Sequence, residues 1–222
     1  VEANGEGRPK LAFGPNGAIY LSFTRPLAKP HTGYIRFVRS TDGAQSFSAP
    51  LTIQRDLAVT AHRFDSMLVD RDGRIFIAWI NKRDADQARA DQRPYRGAAV
   101  DYAVSTDGGL SFGPDVRLAE HCCECCRIAL AMGPGGEVLA MWRHIFAPNV
   151  RDHAMAILSP SGRVQDMTRA SFDDWRIDAC PHHGPSLALG WVLLLLLFEV
   201  FYSRRAWCRY VCPIGLTYGM VG

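Results

Sequence analysis

Residues 121–127 read HCCECCR and place four cysteines within five positions. Thiolates bind soft and borderline metal ions, act as nucleophiles, or pair as disulfides in an oxidising compartment. The C-x-C spacing is not that of a zinc finger. Three chemistries therefore remain open for this loop: a zinc or copper site, structural disulfides, and catalytic thiol chemistry. The cysteines concerned are Cys122, Cys123, Cys125 and Cys126.

Two further groups carry the same kind of chemistry. The segment CPHHGP at 180–185 offers Cys180, His182 and His183. Imidazole nitrogens complement thiolates as ligands of zinc and copper. The segment RRAWCRYVCPIG holds Cys208 and Cys212 in a C-x3-C-P arrangement. The chain has seven cysteines, so at least one thiol is left over if the rest pair within the chain.

The charge balance excludes one class of partner. The 222 residues carry a net charge of +3, with 25 basic and 22 acidic side chains. No basic patch stands out, so we expect no nucleic-acid partner. The chain begins with valine, and no signal peptide is visible. We interpret it as a processed product or a fragment.

The elements that must position these residues repeat along the chain. The segments LAFGPNGAIYLSF, MLVDRDGRIFIAW and LAMGPGGEVLAMW align on Gly17, Gly73 and Gly136. Each reads as a short strand, a tight turn and a second strand, and two more apolar strands follow in each unit. Four short antiparallel strands per unit of about 60 residues are typical of a β-propeller blade. A β-sandwich is the alternative interpretation.

A turn motif gives the more specific indication. The stretches STDGAQSF and STDGGLSF fit the pattern S-x-D-x-G-x-x-[FW], in which serine and aspartate oxygens accept hydrogen bonds from turn N–H groups and phenylalanine fills the blade. This pattern resembles the Asp-box of the sialidase-like (BNR-repeat) propellers. The resemblance covers residues 1–189 and implies an all-β partial propeller of about three four-stranded blades. The structural Asp-box residues are Ser40, Asp42, Phe47, Ser105, Asp107, Gly109 and Phe112.

The repeat also predicts where the reactive residues meet. In a propeller, residues just before the innermost strand of each blade converge at one end of the fold. The positions concerned are 7–10, 62–65, 122–128 and 180–185. We therefore predict that the four cysteines of the HCCECCR loop lie beside Cys180, His182 and His183. The expected product is one cluster, closed either by disulfides or by zinc or copper.

The resemblance to sialidases implies which residue types an active enzyme of this fold would need. Sialidases bind the substrate carboxylate with three arginines and attack with a tyrosine activated by a glutamate. Arg8, Arg63 and Arg127 are weak candidates for the arginines. The usual F-R-I-P-type motif is absent, and the tyrosine–glutamate pair would come from later blades. We therefore keep exo-α-sialidase activity as an alternative that further blades would have to complete.

The repeat stops where a fourth blade should begin. After PSLAL the chain continues as GWVLLLLLFEVFY, so we place the domain boundary between Leu189 and Gly190. Residues 187–202 carry one charge, and as a helix they would span about 24 Å of a bilayer core of about 30 Å. We predict a C-terminal transmembrane helix; a buried helix of an incomplete domain is the alternative. The arginines that follow favour a cytoplasmic C-terminus and an extracytoplasmic (periplasmic) propeller.

The segment 190–222, with its C-x3-C-P pattern, closely resembles ferredoxin-type membrane proteins that accompany periplasmic nitrate reductase. The resemblance implies a [4Fe–4S] cluster, a redox partner and ligation by Cys208 and Cys212. Such a cluster takes four thiolates, and this segment supplies two. A truncated remnant that binds no cluster by itself is the alternative.

From these residues we expect a membrane-anchored extracytoplasmic propeller whose cysteine- and histidine-rich end binds a ligand or a metal ion. Sialoside hydrolysis and electron transfer through a 4Fe–4S subunit are the two alternatives. The expected partners are the membrane and either a redox protein or a glycan. The sequence does not decide whether the chain is an enzyme.

Overall fold

The structure, a computed structural model, describes residues 7–163, 166–177, 179, 184 and 185. The chain divides into two compact units, 1–186 and 187–222. All described residues belong to the first unit. They form three four-stranded antiparallel sheets, each with its strands in sequential order. The three predicted four-stranded units are therefore confirmed, and they are consistent with a partial propeller.

Blade 1 begins with a short inner strand and ends with a two-residue edge strand. Its strands are β1 (Lys10–Phe13), β2 (Ile19–Pro26), β3 (Gly33–Ser40) and β4 (Leu51–Thr52). A turn at Pro15–Gly17 joins the first two strands. Gly17 takes a φ of +75° there, and the aligned Gly73 and Gly136 take +79° and +89°. The shared glycine thus marks the same left-handed turn in all three blades.

Blade 2 is the central and most deeply buried blade. Its strands are β5 (His62–Val69), β6 (Ile75–Asn81), β7 (Ala98–Ser105) and β8 (Val116–Cys122). A helix, α1 (Arg83–Ala90), lies in the connection between β6 and β7. This helix has no signal in the sequence, because α1 carries only two buried side chains, Ala85 and Ala88, and therefore no apolar stripe.

Blade 3 repeats the pattern. Its strands are β9 (Ala129–Met132), β10 (Val138–Arg143), β11 (His153–Leu158) and β12 (Thr168–Arg169). β10 pairs with β9 on one side and with β11 on the other. The loop from β8 to β9 is therefore the connection from the outer strand of blade 2 to the inner strand of blade 3. This loop carries Cys123, Cys125 and Cys126.

The core forms between blades, and β6 is its centre. All seven residues of β6 are buried, and alternate side chains point to opposite faces of the sheet. Ile75, Ile77 and Trp79 pack with residues of blade 1. Phe76 and Ile80 pack in the second cluster, which includes Trp142 of blade 3. The strand therefore joins both neighbouring blades through one period-2 pattern.

The Asp-box turns form as predicted. Ser105 Oγ donates to Asp107 Oδ1 at 2.8 Å and accepts the backbone N–H of Gly109 at 2.9 Å. Asp107 Oδ1 accepts the N–H groups of Leu110 and Ser111, each at 3.0 Å. Burial opposes ionisation of Asp107, but the hydrogen bonds from Ser111 lower its pKa to about 2.

The first Asp-box differs from the second in its aromatic residue. Phe112 packs edge-on against Phe37 of blade 1, with ring centroids 5.1 Å apart. Phe47 is 43% exposed. The prediction that Phe47 fills the blade is wrong. The Asp-box of blade 2 packs against the preceding blade, whereas the described part of the chain contains no blade before blade 1.

We expect Ser105→Ala to lower the free energy of unfolding by about 1–2 kcal/mol, because the buried N–H of Gly109 loses its acceptor. Asp107→Ala should cost less, about 1 kcal/mol, since the carboxylate is exposed and water replaces it. The pKa of Asp107 is depressed on folding, so its contribution is complete above its unfolded pKa and is lost as the pH falls towards 2. Urea unfolding of both variants at pH 7 and pH 3 measures these effects, and equal stability of wild type and Ser105→Ala would contradict them.

Several predictions fall outside the described residues: the membrane segment 187–202, the boundary at Leu189 and the residues after it. Within the described ranges, no helix combines the length and apolar character that a membrane crossing requires. The transmembrane helix therefore stays a prediction.

Candidate functional site

The HCCECCR loop is hydrogen-bonded to the end of β10 and the segment that follows it in blade 3. The N–H of Cys123 donates to the carbonyl of Arg143 at 2.9 Å, and the N–H of Ile145 donates to the carbonyl of His121 at 2.7 Å. These bonds fasten the end of β8 to the connection between β10 and β11. These bonds fix the direction in which the loop leaves β8.

Three cysteine sulfurs lie together in this loop. Cys126 donates from its thiol to Cys123 Sγ at 3.1 Å, and Cys123 Sγ lies 3.6 Å from Cys125 Sγ. All three sulfurs lie within 4.8 Å of one another, and each side chain is at most 3% exposed. Cys123 and Cys126 are free thiols, whereas Cys125 takes part in a disulfide. The loop thus holds reduced and oxidised cysteines in contact.

The structure leaves Cys122 out of this group. Cys122 is the last residue of β8, is fully buried and donates its thiol to the carbonyl of Glu120 at 3.4 Å. Burial raises its pKa well above that of an ordinary thiol. Cys122 packs in the core between blades 2 and 3. Its surroundings are those of a small apolar side chain.

Of the two free thiols, Cys123 and Cys126, the surroundings favour the thiolate on Cys123. The hydrogen bond from Cys126 lowers the pKa of Cys123, assisted by Arg151, whose Nη1 lies 3.7 Å from Cys123 Sγ. The same hydrogen bond raises the pKa of Cys126, because its proton is held between the two sulfurs. The arrangement assigns the negative charge to Cys123 and the proton to Cys126.

A cleft of about 510 Å³ opens beside the loop. It is lined by arginines from three segments, Arg89, Arg93 and Arg151, together with Tyr95 and Glu124. Glu124 forms an ion pair with Lys82. Burial raises the pKa of Tyr95 to about 12, so its hydroxyl stays protonated. Burial also lowers the pKa of His144, next to the loop, to about 4, so this imidazole is neutral at pH 7.

Two of the three arginines predicted for carboxylate binding pack on one aromatic ring. Arg63 and Arg127 both lie over the ring of Phe64, at 4.7 Å and 5.6 Å from its centroid. Arg63 also donates to the carbonyl of Glu124 at 3.1 Å. Arg8 is exposed. Arg63 therefore links the bulge of β5, which carries Phe64, to the cysteine loop, and Arg127 of that loop packs on the same ring.

Five predicted site residues lie outside the described residues: Cys180, His182, His183, Cys208 and Cys212. Two described residues, Ala179 and Gly184, flank the first three in sequence. Ala179 lines the same cleft as Glu124. A Cβ on Gly184 would lie 2.4 Å from the carbonyl oxygen of Arg127, so this backbone approaches the loop closely. Gly184 therefore lies against the cysteine loop, and Ala179 lies at the cleft beside it.

Three features of the site were not predicted from the sequence. Cys123 and Cys126 have C-x-x-C spacing, a pattern visible in the printed sequence but hidden among four cysteines. Arg151 gave no sequence signal, since it reaches Cys123 from the loop between β10 and β11. Tyr95 and the arginines that follow or belong to α1 were missed together with the helix.

The sulfur geometry suits a soft metal ion. Zinc–sulfur bonds of about 2.3 Å in a tetrahedral site put sulfur atoms roughly 3.8 Å apart. The separations of 3.6 Å and 3.1 Å need small adjustments to reach that value. The disulfide of Cys125 must be reduced before this sulfur can bind as a thiolate. The described residues therefore supply up to three thiolate ligands.

Comparisons with known proteins find relatives of the C-terminal segment. Residues 184–222 match a family described as a 4Fe-4S binding domain. The methylamine utilization ferredoxin-type protein MauN of Paracoccus denitrificans is 58% identical over 36 residues, which cover 15% of this chain and 13% of that protein. The ferredoxin-type protein NapH of Haemophilus influenzae is 44% identical over 36 residues, covering 16% and 12%. The predicted resemblance of this segment to ferredoxin-type proteins is confirmed, and the chain spans a small part of these relatives.

Solved structures resemble the propeller unit. A protein of unknown function from Dyadobacter fermentans superposes with a TM-score of 0.53 at 21% identity, covering 76% of this chain and 56% of that one. The Hadza microbial sialidase Hz136 gives 0.51 at 15%, covering 70% and 35%. An α-L-arabinanase of Penicillium chrysogenum gives 0.52 at 14%, covering 73% and 50%. At these identities the likeness shows the fold alone, and the chain spans about a third to about half of each structure.

Proposed function

We propose that the propeller unit binds a soft metal ion, zinc or copper, through Cys123, Cys125 and Cys126 in the reduced loop. The observation that carries this proposal is the group of three buried sulfurs within 4.8 Å of one another. Thiolates are the ligands that zinc and Cu(I) prefer. Arg151 and the surrounding backbone stabilise negative charge in the site, which lowers the cost of burying thiolates.

A fourth ligand would come from the CPHH segment. The close approach of Gly184 to Arg127, and the position of Ala179 in the cleft that Glu124 also lines, support a place for Cys180, His182 or His183 beside the sulfur group. In the oxidised protein we propose Cys180 as the partner of Cys125. Mass spectrometry of the non-reduced protein should join the peptides that carry these two residues; a Cys125 peptide joined only to Cys208 or Cys212 contradicts the assignment.

The metal proposal is tested by titration of the full 222-residue chain. The protein is reduced, transferred to anaerobic buffer and titrated with Zn²⁺ or Cu(I) in competition with a chromophoric chelator. We expect one equivalent to bind with release of thiol protons, because the ligands bind as thiolates. A chain that binds no ion, or binds it equally well after alkylation of its thiols, rules the site out.

We also propose that the chain is anchored in a membrane. Residues 187–202 are apolar and are followed by Arg204, Arg205 and Arg209. This pattern supports a membrane anchor with an extracytoplasmic propeller. Labelling of intact cells with an impermeant maleimide should leave Cys208 unmodified. Efficient labelling of Cys208, with none at a cytoplasmic control, would reverse the topology.

Electron transfer is a second candidate function, favoured by the match of residues 184–222 to a 4Fe-4S binding domain. Cys208 and Cys212 would hold two corners of such a cluster. The matched segment contains no other cysteines, so the remaining two thiolates must come from elsewhere. When bound, the cluster would exchange single electrons with a redox partner. Iron and acid-labile sulfide in the anaerobically purified full chain, lost in Cys208→Ser, test this candidate; iron at background level in the unmodified chain contradicts it.

We do not propose hydrolysis of sialosides or binding of another glycan. The guanidinium groups of Arg63 and Arg127 lie over the ring of Phe64, and Arg63 also donates to the carbonyl of Glu124. The likeness to a solved sialidase shows the fold alone.

A further inference from the structure

The HCCECCR loop combines an oxidised cysteine with a neighbouring dithiol. Cys125 belongs to a disulfide, and its sulfur lies 3.6 Å from the thiol of Cys123. The thiol of Cys126 lies 3.1 Å from the same Cys123 sulfur. Cys123 therefore contacts both sulfurs with which it could exchange. Thiol–disulfide exchange requires this arrangement: an attacking sulfur, a disulfide and a second thiol that resolves the intermediate.

We propose that these cysteines form an internal thiol–disulfide relay in which the Cys123–Cys126 dithiol reduces the disulfide of Cys125. This activity goes beyond metal binding, because it operates in the metal-free protein. The substrate and the reductant are both cysteines of this chain. No external oxidant is needed for the exchange.

The two steps balance in atoms and electrons. The Cys123 sulfur, having lost its proton, attacks Cys125 Sγ; a Cys123–Cys125 bond forms, and the other sulfur of the original disulfide leaves and takes up that proton. The Cys126 sulfur then attacks Cys123 Sγ; a Cys123–Cys126 bond forms, and Cys125 leaves and receives the proton of Cys126. Two electrons pass from the dithiol to the disulfide. The products are one new disulfide and two thiols.

Both steps require only small movements of the sulfur atoms. A disulfide bond is about 2.05 Å long, so each forming bond requires roughly 1.0–1.5 Å of approach between sulfurs that are already in contact. The spacing of Cys123 and Cys126 is that of C-x-x-C redox pairs. All three residues are at most 3% exposed, which keeps bulky external thiols away from the exchange. The close contacts favour exchange within the loop over exchange with solvent thiols.

The relay also selects the redox form of the loop. In one form the disulfide includes Cys125, and in the other it joins Cys123 to Cys126. Neither form has three thiolates, so the proposed metal site requires reduction by two further electrons. The relay can therefore be tested without any metal, and failure of one proposal leaves the other standing.

The test follows the sulfurs of the oxidised full chain in EDTA without reductant. A low concentration of N-ethylmaleimide traps each thiol that the exchange releases, and acid stops the reaction. Glu-C protease cleaves after Glu120 and Glu124, which separates Cys123 (fragment 121–124) from Cys125 and Cys126 (fragment 125–137). A Cys123–Cys126 disulfide keeps these fragments joined, and alkylation of Cys125 in the joined species reports the complete relay.

In the unmodified chain we expect joined fragments with alkylated Cys125 to accumulate. Cys126→Ser should slow alkylation of Cys125 by at least about tenfold, since the second step is lost. Cys122→Ala is the matched control, because it removes a cysteine outside the sulfur group and should leave the relay unchanged. Near-UV circular dichroism checks the fold of each variant.

The unmodified chain alone can overturn the proposal. If Cys125 stays in its original disulfide while Cys123 and Cys126 are alkylated as separate thiols, no exchange takes place. If Cys125 is alkylated at the same rate with and without Cys126, release does not pass through the dithiol.

Discussion

Gly97→Ala should lower the free energy of unfolding by about 3–5 kcal/mol, a large effect for the replacement of one hydrogen atom by a methyl group. Gly97 immediately precedes β7 and takes a φ of +66°, which costs an L-residue about 1–2 kcal/mol. A Cβ there would lie 2.0 Å from the carbonyl oxygen of Cys122 and 2.9 Å from Ile145. The methyl group would therefore push the end of β8 away and displace the start of the cysteine loop.

Gly17→Ala is the matched control for this effect. Gly17 takes a similar φ of +75°, but a Cβ there would have no heavy atom within 4 Å. The free energy of unfolding of this variant should fall by only about 1 kcal/mol, the cost of the left-handed backbone conformation alone. Urea unfolding followed by tryptophan fluorescence measures both. Equal destabilisation of the two variants would show that the contact with Cys122 has no energetic role.

The second large effect concerns the proposed metal site. Cys123→Ser and Cys126→Ser should each weaken binding of Zn²⁺ by at least about 100-fold, because loss of a ligand exceeds the 10–100-fold cost of losing an outer-shell partner. Cys122→Ala should bind as the unmodified chain does, since its thiol bonds to the carbonyl of Glu120 outside the sulfur group. Competition with a chelator measures all three affinities.

The comparison among these variants distinguishes a defined site from adventitious thiol binding. Each variant keeps six of the seven cysteines. If the metal bound to any exposed thiol, all three variants would lose similar amounts. A 100-fold loss confined to Cys123 and Cys126 requires the geometry described above, whereas equal losses would remove the basis of the proposal.

The fold could be predicted from sequence because each blade repeats its own local signals. Gly17, Gly73 and Gly136 mark equivalent turns, and the aspartates of the two Asp-boxes accept the turn N–H groups as expected. These features depend on near neighbours in sequence. The environment of Phe47 could not be predicted in the same way, since packing of an Asp-box aromatic depends on the preceding blade.

The candidate site was only partly predictable. The cysteine pattern located the loop, but residue types alone could not separate Cys122, which is a core residue, from the three clustered sulfurs. That difference arises because β8 continues through Cys122 before the chain turns. The contact of Arg151 with Cys123 joins positions 28 residues apart and depends on the placement of two blades.

X-ray absorption spectroscopy of the metal-loaded, reduced chain tests the central claim most directly. With one equivalent of Zn²⁺, the site should give a first shell of about three sulfur atoms at about 2.3 Å, completed by one nitrogen, oxygen or sulfur ligand. The spectrum of Cys122→Ala should be the same, and that of Cys126→Ser should lose one sulfur. A first shell made only of nitrogen and oxygen atoms at about 2.0 Å would contradict metal binding by the cysteine loop.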